Sequence, residues 1–367
     1  MKDILVIGAG KIGEMITAYL AESGDYRILV ADRDQAQIDR LPQRPNVRTA
    51  VIDVTAQDQL IEAMHGKFAV LSAAPYDVTR HVAQAARLAS AHYLDLTEDV
   101  ATTRLVKTLA VDSDRAFIPQ CGLAPGFISI VASDLASRFD TLESVRMRVG
   151  ALPIFPSNAL NYNLTWSTDG VINEYDEPCE AIVGGRLCEA APLEELEEFS
   201  LDGVRYEAFN TSGGLGTLCE TLAGKVRHLN YKTVRYPGHR DIMKALIQDL
   251  RLGQRRALLK DILEFALPAT MQDVVLVFAT VSGQRDGRYF QETYANKIYG
   301  AEVGGVQRSA IQITTAAGIC AVLDLLAEGS LPQQGLVRQE QIPLDLFLKN
   351  RFGRAYGAPV VAQAEVA

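Results

Sequence analysis

Three glycines, Gly8, Gly10 and Gly13, stand in "DILVIGAGKIGEMITAYLAESGDYRILVADRD" between a short apolar run and a helical pattern, and Asp32 closes the next apolar run. The Gly-x-Gly-x-x-Gly spacing suits phosphate chemistry. Gly8 permits a tight turn, Gly10 lets a pyrophosphate approach the backbone beside Lys11 and Ile12, and Gly13 lets the helix pack close to the strand. Unpaired N–H groups at the helix N-terminus then face the phosphates. Asp32 sits where a carboxylate accepts hydrogen bonds from the adenosine ribose hydroxyls. This unit predicts dinucleotide binding. The charge of Asp32 repels a 2′-phosphate and favours NAD, whereas Arg33 could pair with that phosphate, stack on adenine or stay solvated, so NADP is the second choice.

Further polar groups fall at the ends of later apolar runs, where the carboxyl edge of a parallel sheet borders its ligand. Asp53 and Val54 follow "VRTAVI", and Ser72, Ala73 and Ala74 end "FAVLSAAP". These residues complete the expected cofactor edge. Trp166, the single tryptophan, reads either as a core aromatic or as a wall against substrate methylenes. His239 follows "RYPG", where Pro237 and Gly238 force a turn; it reads as an exposed proton-transfer group or as a solvated turn residue. Lys225, Arg227 and Arg235 are possible carboxylate partners. Neither the five cysteines nor the five histidines show metal-ligand spacing, so no metal site is expected.

Elements that could position these groups alternate over the first 125 residues. The pattern predicts six strands: Ile4 to Ile7, Arg27 to Ala31, a third ending at Asp53 before a helix capped near Thr55, "FAVLSAAP", "HYLDLTED" and "AFIPQCGLAPG". Helices between them give a doubly wound (Rossmann) parallel sheet of the α/β class. After Gly126, "VRMRVGALPI" and "DVVLVFATVSG" are separated by longer polar segments, which suggests an inserted α+β domain with an antiparallel sheet. "RDIMKALIQDL" reads as a helix within it. From Gly304 onward, "VQRSAIQITTAAGICAVLDLLAEG" reads as one long apolar helix returning to the first domain. The expected division is therefore 1–125 plus 303–350 for the dinucleotide domain and 126–302 for the insert. The tail "GAPVVAQAEVA" is expected to fray.

At 367 residues the chain has room for two cores, and a net charge of −9 argues against a nucleic-acid surface. No stretch reads as a secretory signal or membrane span, which makes the cytoplasm the expected location. The five cysteines, an odd number with no C-x-x-C pair, suggest no disulfide framework.

"GAGKIG", "YLDLTED", "CGLAPG", "NLTWSTDG" and "VRYPGH" occur in that order across nearly the whole chain. Together they resemble the saccharopine dehydrogenase-like family, nearest to its lysine 6-dehydrogenase members. The resemblance implies oxidation of a C–N bond in a small amino acid or amine. It also implies that Asp95 faces the substrate, with a helix cap or a loop ion pair as the alternative for an aspartate there, and that Cys121 borders the site without a covalent role. Where saccharopine-cleaving members would carry an arginine gripping further carboxylates, this chain has "FNTSGG", Phe209 to Gly214, with Ser212 as a possible substrate contact. Loss of that bidentate partner favours lysine over saccharopine. Two rivals stand: a glutamate-forming saccharopine dehydrogenase, and a protein that senses NAD(H) without turnover. The open sheet of an insert makes a homodimer the expected state.

Overall fold

The computed structural model describes residues 1–357; the tail expected to fray lies, from residue 358 on, outside the described residues. Six strands follow the alternating pattern: β1 (Lys2–Ile7), β2 (Tyr26–Asp32), β3 (Val47–Val51), β4 (Ala69–Ser72), β5 (His92–Asp95) and β6 (Ala116–Ile118). Residues Gly335–Leu336 add a seventh, parallel to β6. The sheet runs from that late strand through β6, β5, β4, β1 and β2 to β3, every pair parallel. Strand order reverses between β1 and β4, and the crevice at such a switch point is where dinucleotides bind in this architecture. Ile4 to Ile7 are at most 2 % exposed because β1 is central and covered on both faces.

Two strand ends fall short of the sequence reading. The third strand stops at Val51, and Asp53 instead folds a turn by accepting from the backbone N–H and the hydroxyl of Thr55 at 2.9 and 2.7 Å. The helix after it, Gln57–Met64, starts without a side-chain cap. The sixth strand stops at Ile118, three residues before Cys121.

The second sheet is built on β7 (Thr141–Pro153) and strand Asp273–Arg285, paired antiparallel along their lengths. Strand Val226–Arg235 lies on the other side of β7, and that pair is parallel, so the sheet is mixed rather than wholly antiparallel. The crossover between those two parallel strands carries helix Thr168–Asp176, the "FNTSGG" turn and the strands around them.

The long apolar helix spans Ala310–Ala327, not Gly304 onward. Residues Ala301–Val303 and Val306–Arg308 form a hairpin before it, turning on Gly304 and Gly305, both at positive φ. Ser309 and Gln312 then form a reciprocal capping box, and Asp273 accepts from the N–H groups of Ala310 and Ile311 at 2.5 and 3.0 Å. This helix is apolar and long enough to cross a bilayer, yet 89 % of it is buried inside the fold. It packs on helix α1 (Lys11–Ser23). Two polar ties fix its far end: Lys2 Nζ donates to Ala327 O at 2.7 Å, and Tyr26 donates to Asp324, which also holds Arg351 and Asn350.

Candidate functional site

The glycine turn has the geometry that phosphate binding requires. A Cβ on Gly13 would stand 1.8 Å from Gly8 O, and one on Gly8 2.8 Å from Ala73 O, so both approaches exclude any side chain. Nothing lies within 4 Å of a Cβ on Gly10. Space is open there for a pyrophosphate. Helix α1 begins at this point without a side-chain cap, and its first internal bond runs from Glu14 N to Gly10 O. The preceding N–H groups and the positive end of the helix dipole are left for an anion. Asp32 accepts from Ala9 N at 2.7 Å and Asp34 N at 2.9 Å, holding the turn against the end of β2. A crevice of about 170 Å³ is lined there by Gly8, Asp32, Arg33, Asp53, Val54 and Ala74. These residues fit the adenosine end of a nicotinamide dinucleotide. Ser72 is an exception: it is buried, and its hydroxyl bonds that of Thr79 at 3.1 Å, away from both cavities.

A larger cavity of about 610 Å³ continues from Lys11, Ile12 and Ala73 into the space between the two sheets. Its far wall comes from the insert and includes Trp166, Glu174, Tyr231, Thr233 and Arg235. Glu98, Leu96 and Thr97 enter from beyond β5. Trp166 is half-buried and lies over Gly170, where a Cβ would come within 2.3 Å of its ring. Both readings of Trp166 hold together, since it packs against the insert core and also faces the cavity.

Arg235 is 2 % exposed and is held by a relay. Its Nε donates to the Tyr175 hydroxyl at 2.8 Å, that hydroxyl lies 3.1 Å from His239 Nε2, and His239 Nδ1 lies 2.9 Å from Leu160 O. A carbonyl can only accept, so Nδ1 carries the imidazole proton and Nε2 accepts from Tyr175. Burial, with the nearby Arg235 charge, pushes His239 down to about 3. His239 is therefore a neutral, buried orienting group, not an exposed acid–base residue. The helix beginning at His239 draws the ring inside, where the sequence shows only a Pro-Gly turn.

Asp95 and Cys121 are also structural. Asp95 is fully buried and accepts from Tyr93 OH at 2.7 Å, Gln120 N at 2.8 Å and Thr97 N at 3.1 Å, which ties the ends of β5 and β6 together. Burial raises it to about 6, but it does not line the cavity. Cys121 is sealed behind it, its thiol raised by burial, contacting Ile118 O at 3.0 Å and Gln339 Nε2 at 3.3 Å. Lys225 is exposed on the insert surface, and Arg227, also exposed, pairs with Glu143. Ser212 is buried, with its N–H on Glu174 O at 3.0 Å. None of these three lines the cavity.

The sequence reading missed two acids. Glu174 is 6 % exposed, faces the cavity, and forms no ion pair or side-chain hydrogen bond among the described residues. Burial pushes it up to about 8; the Glu98 charge adds to this and Arg235 opposes it. Glu98 is raised to about 7, first by burial and then by Asp99 and Asp95. The "FNTSGG" turn brings the two together. Gly213 leaves room for Glu98, whose backbone oxygen and Cβ would stand 2.8 and 2.9 Å from a Cβ there, and Gly214 leaves room for Tyr231, whose ring a Cβ would meet at 2.3 Å. Glu98 lies three residues past the aspartate of "YLDLTED", beyond the strand end. That placement is the one sequence signal that could have found it.

Family models decide the relationship. Residues 4–115 match the saccharopine dehydrogenase NADP binding domain and residues 122–350 the saccharopine dehydrogenase C-terminal domain. The chain belongs to the saccharopine dehydrogenase family. Apo saccharopine dehydrogenase (L-Glu forming) from Saccharomyces cerevisiae superposes with a TM-score of 0.77 at 18 % identity, over 93 % of this chain and 94 % of that one. In sequence, the yeast NADP(+), L-glutamate-forming saccharopine dehydrogenase is 23 % identical over 263 residues, covering 67 % of this chain and 57 % of the yeast protein. Bovine mitochondrial alpha-aminoadipic semialdehyde synthase is 24 % identical over 196 residues, 52 % of this chain. The match spans 21 % of that longer protein.

Proposed function

We propose that this protein is a nicotinamide-dinucleotide-dependent dehydrogenase that oxidises the side-chain amine of a basic amino acid, as lysine 6-dehydrogenases do. The observation that carries this reading is the charge inside the cavity: among the described residues Glu98 and Glu174 have no side-chain partner, and Arg235 is the one cation that the insert adds to the lining. Lysine offers one carboxylate and two ammonium groups to this wall. Saccharopine brings three carboxylates, two of which would face acids rather than arginine, and burying an unpaired charge is costly. The absence of an arginine from Phe209 to Gly214 supports the same choice.

A dinucleotide whose pyrophosphate is held by the glycine turn would supply its oxidised nicotinamide ring as the hydride acceptor. Residues of the chain must orient the substrate, remove a proton from the ammonium so that its lone pair can form C=N, and admit water to release aldehyde and ammonia. At the adenosine end, Asp32 and Asp53 surround a single cation, Arg33, which supports NAD over NADP despite the name of the matched domain.

Reduced-cofactor absorbance with lysine or saccharopine, each with NAD or NADP, tests the reading. We expect kcat/KM for lysine at least about 100-fold above that for saccharopine, equivalent to roughly 3 kcal/mol of differential transition-state binding. One ammonia should appear per reduced cofactor. Saccharopine turned over as fast as lysine, with glutamate released, would install the glutamate-forming rival instead.

A further inference from the structure

Four acids line the cavity; Asp169 pairs with Lys260 and Glu264 is exposed at the rim, while Glu98 and Glu174 stand without partners among the described residues and occupy different surroundings. Glu174 projects from helix Thr168–Asp176 of the insert and feels the charge of Arg235, whereas Glu98 belongs to the segment after β5, at the carboxyl edge of the sheet that carries the glycine turn. Resting on the amine-oxidising reading above, we infer that the acids divide the work: Arg235 and Glu174 together bind the α-carboxylate and α-ammonium of the substrate, and Glu98 is the base that deprotonates the reacting side-chain ammonium.

Three features support the division. Arg235 already spends Nε on Tyr175 and Nη1 on Val234 O, at 2.8 Å each, so its guanidinium cannot swing away, and Nη2 has no partner among the described residues. A fixed guanidinium beside an unpaired buried carboxylate is complementary to a zwitterion, since each charge of the ligand meets its opposite at a short, desolvated range. Glu98 enters from the dinucleotide-binding side, so an extended side chain anchored at Arg235 and Glu174 leads back toward the carboxyl edge of the first sheet, the side from which a bound dinucleotide would reach it. Its burial-raised pKa of about 7 makes it an effective proton acceptor near neutrality. The balance closes with the dinucleotide as oxidant. Glu98 takes one proton from the ammonium, the freed lone pair forms C=N, and the adjacent C–H hydrogen leaves with both bonding electrons to the oxidised cofactor.

Analogues separate head from tail. L-Norleucine keeps the amino-acid head and lacks the side-chain amine, while 6-aminohexanoate keeps that amine and the carboxylate but lacks the α-ammonium. With the intact protein and bound dinucleotide, calorimetry should show norleucine binding weakened at least tenfold by Glu174→Gln and changed less than twofold by Glu98→Gln. In kinetics, Glu174→Gln should raise KM for lysine at least tenfold with kcat within about threefold, and should lower the preference for lysine over 6-aminohexanoate by a similar factor. Glu98→Gln should lower kcat at least about 100-fold and remove the acidic limb of the pH–rate profile. Exchanged behaviour, with Glu174→Gln abolishing the limb and Glu98→Gln moving only KM, overturns the assignment, as does equal binding of norleucine by wild type and Glu174→Gln. A wild type that binds norleucine through Glu174 yet leaves lysine unoxidised sinks the amine-oxidising reading and the role of Glu98 while the head clamp stands. Melting curves of both variants at pH 5, where both acids are largely neutral, show whether either has failed to fold.

Discussion

Replacing Glu174 by glutamine should make the ligand-free protein more stable in alkali, and the size of the effect follows from the site. The carboxyl rises from 4.5 to about 8 in the fold, chiefly because burial disfavours its charged form. A folded-state pKa above the unfolded one gives a stabilising contribution that is whole below about pH 4.5 and is lost as pH rises through about 8. The full shift corresponds to about 5 kcal/mol, and solvent admitted to the cavity screens this to about 2–3 kcal/mol. Near the melting temperature, an unfolding entropy of about 2.1 cal/mol/K per residue turns that into roughly 3–4 °C for a chain of this length. Wild type and Glu174→Gln should therefore melt with the smallest advantage to the variant at pH 5 and an advantage larger by about 3 °C at pH 9, measured by calorimetry without substrate. Comparing the two proteins at each pH cancels the titrating groups that do not interact with Glu174, leaving Glu98 as the coupled neighbour. A difference that stays flat from pH 5 to 9 would mean that Glu174 is ionised throughout, and the cavity would then contain a counter-charge that the geometry does not show.

Asp32→Ala should raise the KM for the dinucleotide at least about tenfold while kcat stays within about threefold, since ribose contacts persist unchanged into the transition state; a fall in kcat at constant KM would place Asp32 at the reaction centre and refute the phosphate-turn assignment. His239→Phe should raise the KM for the amino acid by loosening Tyr175 and Arg235, and it should leave the pKa values of the pH–rate profile where they are, because the wild-type imidazole stays neutral down to about pH 3. Disappearance of a limb near pH 6–7 in that variant would restore His239 as an acid–base group.

Sequence reasoning reached the phosphate turn because its requirements are local. The demands on Gly8, Gly10 and Gly13 arise within a dozen residues, and the packing distances meet each of them. Placement beyond the phosphate turn was not legible for the opposite reason. Asp95, Cys121 and His239 are reactive residue types next to turns, and only tertiary packing shows that all three are enclosed and already hydrogen-bonded. Glu174 sits in a helix among Val171, Ile172 and Tyr175, where nothing in the spacing separates an acid facing a cavity from one facing solvent. In sequence the "FNTSGG" turn stands out only for the arginine it lacks. Its structural contribution is the room that two missing side chains leave for Glu98 and Tyr231.

The late strand Gly335–Leu336 bears on how such a protein is made. During vectorial synthesis β6 emerges long before its outer neighbour, and helix α1 waits longer still for the apolar helix Ala310–Ala327 to cover it. Throughout that interval the nascent dinucleotide domain presents a bare strand edge and an uncovered greasy flank, features that invite pairing with other chains. Pairing between segments so distant in sequence also slows closure of the fold. Chaperone demand on the ribosome should therefore persist until residue 336 has left the exit tunnel, and a protein truncated between residues 316 and 334 should aggregate even though every residue of its phosphate turn and substrate cavity has already been translated.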